Sequence, residues 1–263
     1  MIFNNNHYKN LKKQLVLNNM LSGYLFKISI CLLFFCQIRC GYGQITSGKI
    51  TYERRTNLYK KFKWNKDVKD WLNEEDKNKI DVFELYFNDS LSVFKPQESD
   101  IVEKMSWATT KNVVYQNHHS NKRLTEKKIW GELFLLDDSV RKFTWKITDN
   151  KRSICGYTCR KAIWQASDSV RIYAWFCSEL NSSIGPESFV GLPGVILGLA
   201  TEDGGVIYFA KSVDATTQNP ITLLPKKTKQ KAMKVAELRA QLEKDYGKEK
   251  WGKAMIYNNF EIW

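Results

Sequence analysis

The sequence predicts a mainly β protein: a strongly curved antiparallel sheet or open half-barrel, with a short surface helix and a C-terminal helix. Three observations carry this. Short alternating or apolar runs recur along the chain, separated by brief clusters of Asn, Asp, Ser and Gly. Aromatic residues make up 13% of 263 positions, nine of them Trp, a bias typical of strands. Helical spacing of apolar residues is sustained only beyond Lys226. A hydrophobic content of 43% is enough for a packed core.

The chain opens with a segment that reads as an export signal and leader, residues 1–43. Met20 starts a complete signal of its own: Lys27, then the apolar run Ile28–Cys36, then Gly41-Tyr42-Gly43 before Gln44. That run is far shorter than the ~20 residues a membrane span needs. Removal at Gly43 leaves no span and takes away five basic residues and no acids, so the formal net charge falls from +13 to +8. The expected location is periplasmic or secreted. An exported basic protein meets lipid, glycan or an acidic envelope partner rather than nucleic acid. Of six cysteines, Cys155, Cys159 and Cys177 remain, in a compartment that permits disulfides.

Residues 44–225 are expected to form the β domain. Ser47–Arg54 alternates as a first strand, and Asn65–Ile80 is charged, with Trp71 and Leu72 as its apolar points, and is expected to hold a short surface helix. Val82–Phe87 and Leu91–Phe94 flank Asn88-Asp89-Ser90 as a hairpin. Strands follow at Lys111–Tyr115, Leu124–Trp130 and Leu133–Leu136. Phe143–Ile147 alternates, and Asp149-Asn150-Lys151 is read as the turn after it. Tyr157–Gln165 with Val170–Cys177, and Val195–Leu199 with Val206–Lys211, make two more hairpins, the last with a Gly-rich turn. The total is about ten strands with short connections. Residues 226–263 form a basic helical segment: Val235, Leu238, Leu242 and Tyr246 share a face and Gly247 caps it. Its excess of lysine suits peripheral contact with a membrane surface.

The stretch Gly185-Pro186-Glu-Ser-Phe-Val-Gly191-Leu192-Pro193-Gly194-Val195-Ile196-Leu197 reads as a corner. Leu192-Pro193-Gly194-Val195 fits a type II turn, with Pro presetting φ and Gly tolerating a positive one. The aliphatics after it read as a strand buried on both faces or under a neighbouring element. The corner could also rim a cavity, its backbone N–H groups meeting a ligand. "GLPGVIL" resembles the signature of the GLPGLI family, exported proteins of Bacteroidetes, with Val195 in place of the usual Leu. Trp145-Lys146-Ile147, Ile154–Ala162, Ala174-Trp175-Phe176, Gly185-Pro186 and Phe189 follow that family's order and spacing. The likeness spans roughly residues 47–215 and is specific over 143–213. Family members tend to keep the cysteine corresponding to Cys159; Cys155 is extra, and Cys177 stands where a hydroxyl residue is common. The resemblance implies export and a β-rich fold and supplies no catalytic residue. A looser similarity in architecture, to the N-terminal bowl-like domain of a type II peptide N-glycosidase, favours an accessory or binding role.

No residue set reads as catalytic, and no cofactor or metal is called for. Cys155-Gly-Tyr-Thr-Cys159 has one residue too many for a thioredoxin-like site. In the 157–177 hairpin Cys159 falls opposite Phe176 or Cys177, and the second register allows a Cys159–Cys177 bridge. His118 and His119 occupy a polar turn with no carboxylate or thiol at ligand spacing. Glu202, Asp203 and Asp168 sit in hairpin turns at the wrong spacing for a calcium loop. Trp145, Trp164, Tyr173 and Trp175 lie on consecutive strands, either as core or as a groove for an apolar or stacking ligand. The expectation is a non-enzymatic module of the cell envelope that binds an apolar or extended ligand, or an envelope partner. An envelope hydrolase or thiol enzyme is the alternative, and a purely structural component the third reading.

Overall fold

The computed structural model describes residues 46–63, 65–99, 104–168, 170–215, 219–225 and 231–260. The expected export signal, residues 1–43, lies outside them, as does the start of the expected C-terminal helix.

Among the described residues, eleven strands form a single antiparallel sheet that does not close. They are β1 (Gly48–Asn57), β2 (Asn78–Phe87), β3 (Leu91–Pro96), β4 (Val113–Asn117), β5 (Lys122–Ile129), β6 (Glu132–Ser139), β7 (Lys146–Ile154), β8 (Tyr157–Ser167), β9 (Val170–Cys177), β10 (Val195–Thr201) and β11 (Val206–Ala215). The order is β6-β5-β4-β3-β2-β1-β11-β10-β9-β8-β7. Strands β1 to β6 are one meander and β7 to β11 a second; β1 pairs with β11 and joins them. Two short helices, α1 (Leu58–Lys61) and α2 (Lys66–Trp71), link β1 to β2 in place of the one surface helix expected. Each starts on an asparagine, Asn57 or Asn65, whose side chain accepts a backbone N–H of the first turn. Leu72 is buried as expected, whereas Trp71 is exposed.

The sheet is bent enough that β5 and β9, seven strands apart, line one cavity. In a flat sheet that separation would be roughly 34 Å. The core runs along the inner face. Ile50 and Tyr52 of β1, Phe83, Leu85 and Phe87 of β2, Ile172, Ala174 and Phe176 of β9 and Tyr208 of β11 are all buried. Each large side chain taken from water there contributes about 1.5–3 kcal/mol. Val195, Ile196 and Leu197 have no exposure, as the sequence predicts, because Leu180, Ile184, Phe189 and Leu192 of the β9–β10 loop join the same core cluster.

Three local expectations are corrected. Asp149-Asn150-Lys151 is not a turn: β7 runs through it with a register shift between Ile147 and Lys151. The chain reverses at Cys155-Gly156, where both residues have positive φ (50° and 82°), the signature of a two-residue hairpin turn that matches strand twist. Phe143 and Trp145 precede β7 rather than belonging to it. The type II turn at Leu192–Val195 is replaced by a tighter closure. Gly194 N–H donates to the Leu192 carbonyl (2.8 Å), and Val195 N–H goes to the Leu180 carbonyl instead (3.2 Å). Gly194 has φ of 141°, and a Cβ there would lie 2.0 Å from the Cys177 carbonyl oxygen. Gly185 is also closely packed, 2.8 Å from Ile196 Cβ by the same measure.

The C-terminal segment is two helices, not one: α3 (Val235–Tyr246) and α4 (Lys250–Phe260). Gly247 does cap α3, donating to the Glu243 carbonyl (2.9 Å), with a right-handed φ of −67°. Leu238, Leu242 and Ile256 pack with Ile129 of β5 and Leu136 of β6, so the segment docks on the sheet. Met233 adds a parallel bridge to Leu136.

Gly194→Ala is expected to cost at least about 3 kcal/mol, since the new methyl must displace backbone. Gly131→Ala, at φ of 85° with open space around it, carries only the left-handed penalty of about 1–2 kcal/mol. Urea denaturation of the two variants against the parent measures the difference.

Candidate functional site

The alternation of β1 sends Ile50, Tyr52, Arg54 and Thr56 to the inner face, so the apolar pair is followed by a polar pair. Arg54 stands in register with Asp81 of β2 on one side and Tyr208 of β11 on the other. Its Nη2 donates to Asp81 Oδ2 (2.7 Å), its Nη1 donates to the Thr110 carbonyl (2.8 Å), and its guanidinium lies 4.7 Å from the centre of the Phe83 ring. Asp81 also accepts from the Thr109 hydroxyl (2.9 Å) and pairs with Lys79 (3.1 Å) and Lys111 (3.6 Å).

Glu187, from the "GPES" stretch, completes this network. It is buried and adopts a φ of 55°, unusual for a residue with a side chain. Tyr208 Oη donates to its Oε1 (2.7 Å), Asn112 Nδ2 donates to its Oε2 (3.1 Å), and Arg54 Nη1 is 3.9 Å away. Burial raises Asp81, but Arg54, with Lys79 and Thr109, outweighs it and holds the carboxyl down to about 2. Burial opposes the charge on Arg54, and Tyr208, Asp81 and Glu187 more than restore it.

Above this network opens a cavity of about 850 Å³. Strand β1 and α1 contribute Arg54, Lys60 and Lys61, followed by Lys63; β5 contributes Lys127; β9 contributes Arg171; α4 contributes Lys250 and Lys253. Against these cations stand Glu187, Glu202 and Asp203. Glu202 is engaged by Arg171 (3.1 Å) and the Tyr173 hydroxyl (2.5 Å), and Asp203 by Gly205 N–H and the Thr201 hydroxyl. These turn carboxylates therefore serve the hairpin, and no group of His, Cys, Asp and Glu poised for a metal occurs among the described residues. Burial pushes Lys127 down to about 8, with Glu187 acting against it and Arg123 with it; burial, then Arg54, does the same to Lys61, also to about 8.

The four aromatic candidates do not share one groove. Trp145 and Trp164 pack with Phe143 around Phe189, and Trp145 Nε1 donates to the Val190 carbonyl (2.8 Å). Tyr173 and Trp175 alternate with the buried Ile172, Ala174 and Phe176 and so face the other way. There Lys161 lies over Tyr173 (3.7 Å) and Arg152 over Trp175 (5.1 Å). Tyr173 does not line the cavity but donates to Glu202, which does. The corner residues Gly185, Pro186, Gly191, Leu192, Pro193 and Gly194 position Glu187 and cover β10; Gly191 N–H donates to Ser183 Oγ (2.8 Å). Arg160 pairs with Phe176, which sets Cys159 level with Cys177. The bridge allowed by that register is not formed: both thiols are free and buried. Burial pushes the Cys159 thiol up to about 12, away from the thiolate form. His118 is drawn partly inward, its Nε2 3.1 Å from Ser92 Oγ.

A family model described as "Protein of unknown function (Porph_ging)" matches residues 165–198, from the end of β8 to the start of β10, the Glu187 corner included. No curated protein matches. Among solved structures, PNGF-II in a C2 crystal is similar at 17% identity and a TM-score of 0.50, over 80% of this chain and 32% of PNGF-II. PNGF-II in a P21 crystal gives 16% identity and a TM-score of 0.49, over 74% of this chain and 32% of the other. The first likeness is one of fold, and the chain spans about a third of the length of the protein it matches.

Arg54→Ala leaves Asp81 and Glu187 without their shared partner and is expected to cost about 3–5 kcal/mol, against under ~1 kcal/mol for Arg171→Ala at the exposed Glu202 pair. Asp81 is depressed in the folded state, so the stability it contributes is complete above pH ~4 and lost as pH falls toward ~2; the shift corresponds to roughly 2 kcal/mol. Denaturation midpoints measured across that window in the parent and in Asp81→Asn check it, the variant being much less sensitive.

Proposed function

We propose that this chain is an exported envelope protein of the GLPGLI type and acts as a non-enzymatic binding module, with its ligand seated in the cavity between the bent sheet and α4. The signal-like segment 20–43 supports export, and the "GLPGVIL" corner supports the family reading. The observation that carries the binding role is the composition of the cavity wall: Lys60, Lys61, Lys63, Lys127, Lys250 and Lys253 face a space whose carboxylates are already engaged by the protein itself. Such a wall suits an extended anionic ligand, an acidic glycan or an acidic surface of an envelope partner, rather than an apolar one. The aromatic residues that suggested an apolar groove are spent on the Phe189 cluster and on the opposite face of β9.

Calorimetric titration with polygalacturonate and with neutral dextran tests the reading. Polygalacturonate is expected to bind, and to weaken roughly tenfold from low to high salt, while dextran does not bind. Equal behaviour of the two polymers sinks it. Intact mass of the protein recovered from the envelope or medium is expected to begin at Gln44.

A further inference from the structure

The floor of the cavity holds two features that internal contacts leave unmatched. The first is positive charge. Lys127 is 3% exposed, yet its Nζ meets the Asn259 carbonyl (3.0 Å) and the face of the Phe260 ring (5.7 Å) and has no carboxylate within ion-pair distance among the described residues. That carbonyl belongs to the last turn of α4, where helix carbonyls lack intrahelical partners. Lys61, half-buried on α1, has no ion-pair or hydrogen-bond partner among the described residues. Glu187 is near Lys127 but is shared by Tyr208, Asn112 and Arg54, and Asp81 is shared by Arg54, Lys79 and Lys111. Four residues from Lys127 on the same face of β5, Arg123 is also buried, with its Nε unpartnered among the described residues. Buried ammonium groups are ordinarily paired with an anion.

The second feature is an orphan acceptor. Asn112 is 3% exposed and lines the cavity. Its Nδ2 must be the atom that faces the Glu187 carboxylate, because only the amide nitrogen can donate there. Its Oδ1 is thereby turned away and has no donor among the described residues. A buried amide oxygen calls for a hydroxyl or N–H.

We infer that this floor is a specific subsite for a hydroxylated anion: Lys61 and Lys127 take a phosphate or carboxylate group, and Asn112 Oδ1 accepts a hydrogen bond from a hydroxyl next to it. The inference rests on the cavity being the binding site and names the part of a longer ligand that enters it, a terminal acidic sugar or polyol unit. A simple anion satisfies the lysines but not Asn112, and a neutral polyol does the reverse.

The test pairs anions that differ only in hydroxyls. Glycerol 3-phosphate is compared with propyl phosphate, and glycerate with propionate, by calorimetric titration of the purified protein. The hydroxylated member of at least one pair is expected to bind about tenfold tighter than its deoxy partner, and the pair that responds tells phosphate from carboxylate. Lys127→Met is expected to reduce that binding at least about tenfold, and Lys61→Met, at a more tolerant position, to repeat the loss in a protein that keeps its parental melting temperature. Equal affinity within both pairs, or binding indifferent to both substitutions, overturns the subsite. If none of the four anions binds but polygalacturonate still does, the subsite is refuted and the cavity reading stands; if polygalacturonate fails as well, both fall.

Discussion

The interaction on which the rest of the structure depends is the buried contact of Arg54 with Asp81 and Glu187. It lies at the seam of the sheet, where β1 is paired with its sequence neighbour β2 and with β11 from the far end of the second meander. Asp81, Arg54 and Tyr208 form one row across those three strands, and Glu187 closes it from the β9–β10 loop. None of these charges is tolerated in the interior alone. Together they hold three separate pieces of chain: the two meanders at their join, the 109–112 segment through Thr109, Thr110 and Asn112, and the loop that covers β10. The left-handed backbone at Glu187 is held there by its three partners.

This arrangement divides the basic residues into two kinds. Arg54, Lys79 and Lys111 are committed to Asp81 or Glu187 and serve the fold. Lys61, Lys127, Lys250 and Lys253 face the cavity, and no carboxylate pairs with any of them among the described residues. The cavity draws on β1 and β5 from the first meander, β9 and the β10–β11 turn from the second, and α4 from the end of the chain. It therefore comes into being only when the seam is closed and the last helix is docked.

Much of the fold was legible because hairpins declare themselves locally. Asn88 Oδ1 accepts two backbone N–H groups in its turn, as its sequence context suggested, and Asp203 does the same work before Gly205. The aliphatic triplet at Val195 was legible because such a run has nowhere to go but inside. The site was not, because charge reads as surface until tertiary contacts say otherwise. A signal existed all the same. In β1 the inward positions run Ile50, Tyr52, Arg54, Thr56, and in β5 they run Arg123, Thr125, Lys127, Ile129. A charged residue in phase with an apolar alternation marks an interior polar cluster. The β7 turn was misplaced because Asp149-Asn150-Lys151 has the composition of a reversal, while the true one uses Cys155, whose left-handed backbone its sequence does not advertise. The second C-terminal helix was missed because Gly247 ends one helix without preventing another from starting three residues later.

An open sheet has two outer strands, and each is protected differently from recruiting a strand of another molecule. The approach to α3 lies along β6: Met233 exchanges backbone hydrogen bonds with Leu135 and Asp137, and Val235 N–H reaches Asp138 Oδ2. At the opposite border β7 carries its irregularity, with Lys146, Lys151 and Arg152 along it. A kinked, cationic border is a poor template for fibril-like addition. The irregular stretch that defeats a simple hairpin reading thus equips the protein to remain unaggregated at a rim that no helix shields among the described residues.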